Sequence, residues 1–172
     1  ISSSVTTEPV DFAANVKFDP NDTSKVYAEV TVHSYIDGDT THFVPVGTPK
    51  NWIKDEDGVL KARYNCVDTP ESTGKVEPWG AAAKKYTNSH LKEAKSIIVQ
   101  SDTNTWNTDS TGVRYLVWVW YMAADASDYR LLNLELVQEG LAKLKSASNF
   151  SLADVFQKAN LQSMQLGLKL YN

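Results

Sequence analysis

Between Val26 and Ile36 apolar and polar residues alternate. Val26, Ala28, Val30 and Val32 fall on one side of an extended chain, and Tyr27, Glu29, Thr31 and His33 on the other. This two-residue period predicts a half-buried strand. Asp37-Gly38-Asp39 breaks it as a tight turn, and Thr41 to Val46 is the returning strand. Gly47 to Gly58 is a polar loop holding Trp52 and the acidic run Asp55-Glu56-Asp57. Leu60 to Val67 predicts a third strand that ends at Asp68-Thr69-Pro70-Glu71. The period then changes. Ala82, Ala83, Tyr86, Leu91 and Ala94 recur at helical spacing, and Pro78 suits a first helical position. Ser96 to Ser101 is a short strand and Val113 to Met122 a long aromatic one, in which Trp118 and Trp120 share a face and are expected to pack rather than stack on bases. Leu132 to Glu139 is a short helix stopped by Gly140. Ser151-Leu152-Ala153-Asp154 resembles a capping box and opens a last amphipathic helix running to about Gly167.

Strands that are not interleaved with regular crossover helices predict an α+β fold, a small curled barrel with helices at its side. Ile1 to Pro9 is Ser/Thr-rich with little to bury, and Val10 to Phe18 is expected to be an extra strand or an ordered arm. The domain division is thus a lead-in or arm over 1–22 and one domain over 23–172.

Composition narrows the class. The chain has 172 residues, 42% of them hydrophobic, enough for a globular domain with a real core. No apolar run reaches the length of a membrane span. Cys66 is the single cysteine, so no internal disulfide forms, and it is expected to be a small core residue in a strand. The chain begins at Ile1, and the expectation is a secreted or cell-surface bacterial protein whose signal or anchor lies outside this sequence. The net charge is −4. A phosphate-binding role therefore requires positive charge concentrated in one cleft.

Three clusters carry candidate chemistry. Asp37-Gly38-Asp39-Thr40, taken alone, is an ordinary turn sequence. Asp68-Thr69-Pro70-Glu71, taken alone, is a strand exit, and Arg114 a solvated charge. Together they form a set. Asp39 and Asp68 are hard oxygen ligands at two strand ends, suited to Ca²⁺ or Mg²⁺, and no soft ligand set for zinc exists. Arg63 and Arg114 offer planar, permanently charged forks for phosphate oxygens. Glu71 is a carboxylate able to orient or deprotonate a water. His33, His42 and His90 share no metal spacing. Asn21-Asp22-Thr23 and Asn149-Phe150-Ser151 match the glycosylation sequon, a motif too short to carry weight.

The runs Tyr35-Ile36-Asp37-Gly38-Asp39-Thr40, Arg63 through Val67-Asp68-Thr69-Pro70-Glu71, Trp79-Gly80-Ala81, and Leu132-Asn133 through Gly140-Leu141-Ala142-Lys143 resemble the staphylococcal (thermonuclease-type) nuclease family from about Val26 to Leu170. The resemblance implies an OB-type five-stranded β-barrel with three helices, and a monomeric Ca²⁺-dependent nuclease that cuts DNA, and by extension RNA, to leave 3′-phosphates. It implies that Asp39, Asp68 and the Thr69 carbonyl hold calcium, that Arg63 and Arg114 grip the phosphate, and that Glu71 orients the attacking water.

The third cluster departs from that pattern. Val113 intervenes before Arg114, and one extra residue predicts either a bulge that re-aims the arginine or a flip to the other strand face. Arg130 is the distant substitute. Ser110 and Thr111 stand where the family has a Lys and a Tyr for a terminal phosphate. The segment Leu144 to Ala147 lacks the family's nucleotide-packing tyrosines, leaving Phe150, Tyr115 or Trp52 to supply stacking. The stretch between Asp39 and Arg63 is about ten residues longer than the family's. The alternatives are a nucleic-acid-binding domain of the same fold with weak or no catalysis, and a surface module that only binds calcium.

Overall fold

A computed structural model describes residues 8–172. The first seven residues of the expected flexible lead-in lie outside the described residues. The chain is a closed five-stranded barrel with three α-helices, an α+β fold of the OB type. The strands are β1 (Tyr27–Asp37), β2 (Thr40–Pro45), β3 (Leu60–Tyr64), β4 (Val67–Asp68), β5 (Ala94–Gln100), β6 (Tyr115–Ala123), β7 (Arg130–Leu131) and β8 (Lys143–Leu144). The helices are α1 (Gly80–Glu93), α2 (Leu132–Gln138) and α3 (Ala153–Gln165). Antiparallel pairing runs β3-β2-β1-β5-β6, and a parallel pairing of β3 with β6, Ala62 opposite Tyr115 and Tyr64 opposite Val117, closes the ring.

Closure depends on a bent β1. Its register against β2 shifts between Val32 and Ser34 and again between Tyr35 and Asp37, irregularities that coil a strand. Val30 consequently pairs with Pro45 on one side and Ile97 on the other. One apolar core links Phe43 and Leu60 of the barrel through Trp118 to Leu136 of α2 and Phe156 of α3. Gly140 ends α2 with a φ of 73°, and a side chain there would sit 2.7 Å from the Leu168 carbonyl.

Several local expectations change. Cys66 lies in the turn between β3 and β4 with a φ of 70°, not inside a strand. It is buried, and desolvation pushes its thiol up to about 12, so it is inert at neutral pH. Two-residue β4 and β8 pair with each other, Val67 opposite Leu144, and fasten the segment after α2 beside that turn. Helix α1 starts at Gly80 rather than at Pro78. The capping box at α3 does not form: Leu152 precedes the helix without a side-chain cap, because the Ser151 hydroxyl donates to Asp102 at 2.5 Å instead. Residues 10–18 are no strand. They carry a short 3-10 turn at Phe12–Ala14 and pack on the domain, with Ala13 buried and Phe18 wedged among Tyr27, Trp120 and Tyr129. Among the described residues no helix is long and apolar enough to cross a membrane.

Candidate functional site

The hairpin turn between β1 and β2 is built for close approach. A Cβ on Gly38 would meet Thr69 Oγ1 at 2.8 Å and the Ala83 methyl at 3.0 Å, so only glycine lets the turn nest between the β4 exit and α1. The Thr87 hydroxyl of α1 donates to the Gly38 carbonyl at 2.6 Å. Asp37 accepts from the Gly38 N–H at 2.8 Å and the Ser72 hydroxyl at 2.6 Å. Asp39, also buried, accepts from the Thr69 N–H at 3.0 Å and the Thr40 hydroxyl at 3.0 Å. Residues on β1, β2, β4 and α1 thereby converge, although they are far apart in sequence.

Arg63, on β3 opposite Thr40, joins this cluster to the barrel. Its Nη1 lies 2.9 Å from Asp39 Oδ2 and donates to the Val67 carbonyl at 2.9 Å, while Nη2 is 3.5 Å from Asp68 Oδ1. The arginine is 7% exposed and the Asp68 side chain 55%. One end of the guanidinium is therefore fixed by buried partners, and Asp68 reaches into solvent.

Glu71 sits at the neck of a closed loop. Its N–H donates to Glu77 Oε1 at 3.0 Å and its carbonyl accepts from the Glu77 N–H at 2.9 Å. Trp79, in the left-handed region at φ 70°, turns the chain so that Gly80 presses on this neck. A Cβ on Gly80 would lie 2.0 Å from the Glu71 carbonyl oxygen. The Glu71 carboxyl stays exposed. Partial desolvation, and then the charges of Asp37, Asp39, Glu77 and Asp68, hold it above the ordinary carboxylate range.

Arg63 also lines a cavity of about 540 Å³, and Arg114 lines the same cavity. The extra residue before Arg114 is absorbed in a turn. Gly112 adopts a φ of 73°, the Asp109 N–H donates to the Arg114 carbonyl at 2.7 Å, and Thr108 bridges Tyr115. Arg114 and Leu116 consequently face the cavity and Tyr115 faces away from it. Arg114 Nε is paired with Asp109 Oδ2 at 2.8 Å, and its terminal nitrogens have no protein partner among the described residues. Desolvation works against the Asp109 charge, but bonds from Thr111 and the nearby Arg114 hold its carboxyl below the usual range. Lys145, Asn149 and Phe150 line it too. Arg130 is elsewhere, bonded to Glu135 and Asp11.

The structure thus gathers Asp39, Arg63, Asp68 and Thr69 directly, brings Glu71 within electrostatic reach of them, and has Arg114, immediately before the strand paired with β3, line the same cavity as Arg63. Sequence reasoning overlooked Asp37, Ser72 and Thr87, which fix the turn. The only signal was the first Asp of the D-G-D run.

The donor set was tested for a hard divalent ion. No three His, Cys, Asp or Glu side chains among the described residues close into a ready-made ligand group. Asp39, Asp68 and Glu71 nonetheless provide only oxygen donors. The buried Thr69 Oγ1 beside them has no hydrogen-bond partner, and the mutual repulsion felt by Glu71 marks a site where positive charge is favourable. Hard oxygens completed by backbone carbonyls and water fit calcium.

A search of curated proteins finds no match to the chain. A family model described as Staphylococcal nuclease homologue matches residues 61–170. That stretch contains Arg63, Asp68, Thr69, Glu71 and Arg114, and it begins after the turn that carries Asp37 and Asp39. With more than half of the chain covered and a closed five-stranded barrel flanked by three helices, this protein belongs to the staphylococcal nuclease homologue family.

Proposed function

We propose that the chain is a calcium-dependent nuclease hydrolysing phosphodiester bonds of DNA and RNA and leaving 3′-phosphate ends. The observation that carries this reading is the position of Arg63. It is shared between a cluster of carboxylates and a nucleotide-sized cavity, and Arg114 lines that same cavity.

Asp39, Asp68 and the Thr69 carbonyl would hold the calcium ion. When bound, it supplies positive charge to the phosphate oxygens and to an attacking water. The chain's own residues supply the rest. Arg63, braced by Asp39 and the Val67 carbonyl, presents its fork to the phosphate without having to reorganise. Such preorganised charge is worth most where water is excluded. Arg114 offers its terminal nitrogens to the charge that builds on the phosphoryl oxygens as bonds change. Glu71 takes a proton from water as the water oxygen bonds to phosphorus. The P–O5′ bond breaks, the departing 5′-oxygen takes a proton from solvent water, and Glu71 returns its own proton to solvent. The exposed Glu71 carboxyl beside Asp39 and Asp68 supports its assignment as the base.

The test is digestion of supercoiled plasmid. Nicking and degradation are expected in millimolar Ca²⁺ and none in chelator, and intact plasmid with a folded protein and calcium rejects the reading. Arg63→Lys keeps the charge but not the two-pronged contact. A fall in turnover on the order of 10²–10³ is expected, the usual cost of one lost transition-state contact. A near-normal Arg63→Lys enzyme would place the phosphate site elsewhere. The pairing of Arg114 with Asp109 favours a second reading, a nucleic-acid-binding module that does not cut. That reading expects tight oligonucleotide binding with intact plasmid.

A further inference from the structure

The long loop between β2 and β3 does not hang free. Ile53 is buried, the Trp52 indole donates to the Gly58 carbonyl at 2.9 Å, and the Trp106 indole donates to the Asn51 carbonyl at 2.5 Å. Trp52 and Trp106 meet edge to face with ring centres 5.7 Å apart. The loop is thereby clasped to the segment that leads from β5 to β6, and a groove of about 450 Å³ opens between them.

Three half-buried aromatic rings, Trp52, Trp106 and Tyr115, line this groove, together with the exposed Lys50 and Lys54. No carboxylate lines it, although the chain as a whole is acidic at −4. Neither lysine has an ion-pair partner among the described residues. The acidic residues Asp55, Glu56 and Asp57 line a separate groove beside Lys61 and Val113. Asp55 marks the border, accepting from the Tyr115 hydroxyl at 3.4 Å.

The groove and the arginine cavity lie on the two sides of one loop. Ser101, Asp102, Thr103 and Asn107 face the cavity, while Asn104, Thr105 and Trp106 of the same loop face the groove. That wall is stiff, with Ser101 Oγ donating to the Thr105 carbonyl at 2.6 Å and Asn107 Nδ2 to Thr103 Oγ1 at 2.7 Å. Unpaired cations beside aromatic faces are the means by which proteins hold a single strand without reading its sequence. We infer that the Trp52–Trp106 groove is an extended subsite for single-stranded nucleic acid, taking the nucleotides that lie beyond the scissile phosphate. The inference rests on the nuclease reading only for the direction from which the strand arrives. It makes the protein a binder of longer strands in preference to dinucleotides.

The test is fluorescence anisotropy of 5′-labelled octathymidylate and dithymidylate in chelator, so that nothing is cut. Wild type is compared with Lys50→Gln/Lys54→Gln, a double variant that leaves the tryptophan clasp intact. The octamer is expected to bind about tenfold more weakly to the variant, and the dimer equally to both. The salt slope for the octamer should flatten by about 1.4, since each lost contact to a single strand removes about 0.7. Equal octamer affinity in the two proteins overturns the proposal, as does a wild type that binds octamer no better than dimer. Plasmid digestion is read separately. If it fails while the lysine-dependent octamer binding holds, the catalytic reading falls and the groove stands.

Discussion

Gly80 shows how a residue with no side chain sets the position of a residue proposed to act. Its missing Cβ leaves room for the Glu71 carbonyl, which would otherwise be 2.0 Å away. Gly80→Ala must therefore move either the start of α1 or the neck that carries Glu71. Overpacking of this kind costs about 1–3 kcal/mol, and a loss of that size is expected by thermal unfolding. Plasmid cleavage should fall further than stability explains, because a general base displaced by an ångström loses much of its effect. Wild-type turnover in a folded Gly80→Ala protein would show that this contact does not position Glu71. At this scale the sequence was informative where chemistry and spacing coincide: Asp39, Arg63 and Asp68, named together from their chemistry, do come together, and Thr69, which the resemblance added, joins them. It was silent where the partner is remote, as with the Thr87 hydroxyl on the Gly38 carbonyl, 49 residues away. Arg114 lay between these cases. The extra residue predicted either a bulge or a flip to the other face, and with Gly112 in a left-handed turn Arg114 lines the cavity with Arg63.

Among the elements, strand alternation transferred well in β1, where Ala28 and Val30 are buried and Glu29 and Thr31 exposed, whereas β6 is buried without a break from Val117 to Tyr121 and shows itself by its apolar run instead. Local helix-start rules transferred poorly. Ser151 had a capping sequence, but Asp102 competes for its hydroxyl and also accepts the Trp118 indole at 3.1 Å, so a tertiary partner displaces the local one. The two-residue β4 and β8 are too short to show any period. Residues 10–18, expected to be an extra strand or an ordered arm, form the arm, and side chains hold it. Gln138 accepts from the Phe12 N–H at 2.7 Å and donates to Asp11, and Arg130 Nη2 bonds Asp11 at 2.9 Å. The Arg130 guanidinium keeps the Asp11 carboxyl below the usual carboxylate range. A carboxyl whose native pKa is depressed stabilises the arm at any pH above its ordinary value and ceases to do so as pH falls through the lower native value. The Phe12 and Ala13 amides are therefore expected to lose hydrogen-exchange protection in mild acid before the barrel amides do. Asp11→Asn should remove that pH dependence. Protection that tracks the barrel at every pH would mean that Phe18 and its aromatic neighbours, not the ion pair, hold the arm.

On the scale of the whole molecule, an acidic chain binds a polyanion only if its charges are sorted. Here Arg63, Arg114 and Lys145 outnumber Asp102 and Asp109 in the lining of the cavity, Lys50 and Lys54 line the neighbouring groove without a carboxylate, and Asp37, Asp39, Asp68 and Glu71 form a negative cluster beside Arg63. The carboxylates repel one another in the absence of a cation, and the strain shows in Glu71. A divalent ion bound only by the folded state must then stabilise the entire barrel, since strands β1, β2 and β4 and helix α1 all meet at that cluster. Ligand at about 100 times its dissociation constant adds about 2.7 kcal/mol. For a domain of this size each kcal/mol moves Tm by about 2–4 °C. Saturating Ca²⁺ is therefore expected to raise Tm by roughly 5–10 °C. Asp39→Asn or Asp68→Asn should abolish most of the rise, whereas Asp125→Asn, remote from the site, should not. A Tm indifferent to calcium in the unmodified protein would remove Asp39, Asp68 and Thr69 as ligands even if the plasmid were cut, and would direct the search for the ion to the nucleic acid itself.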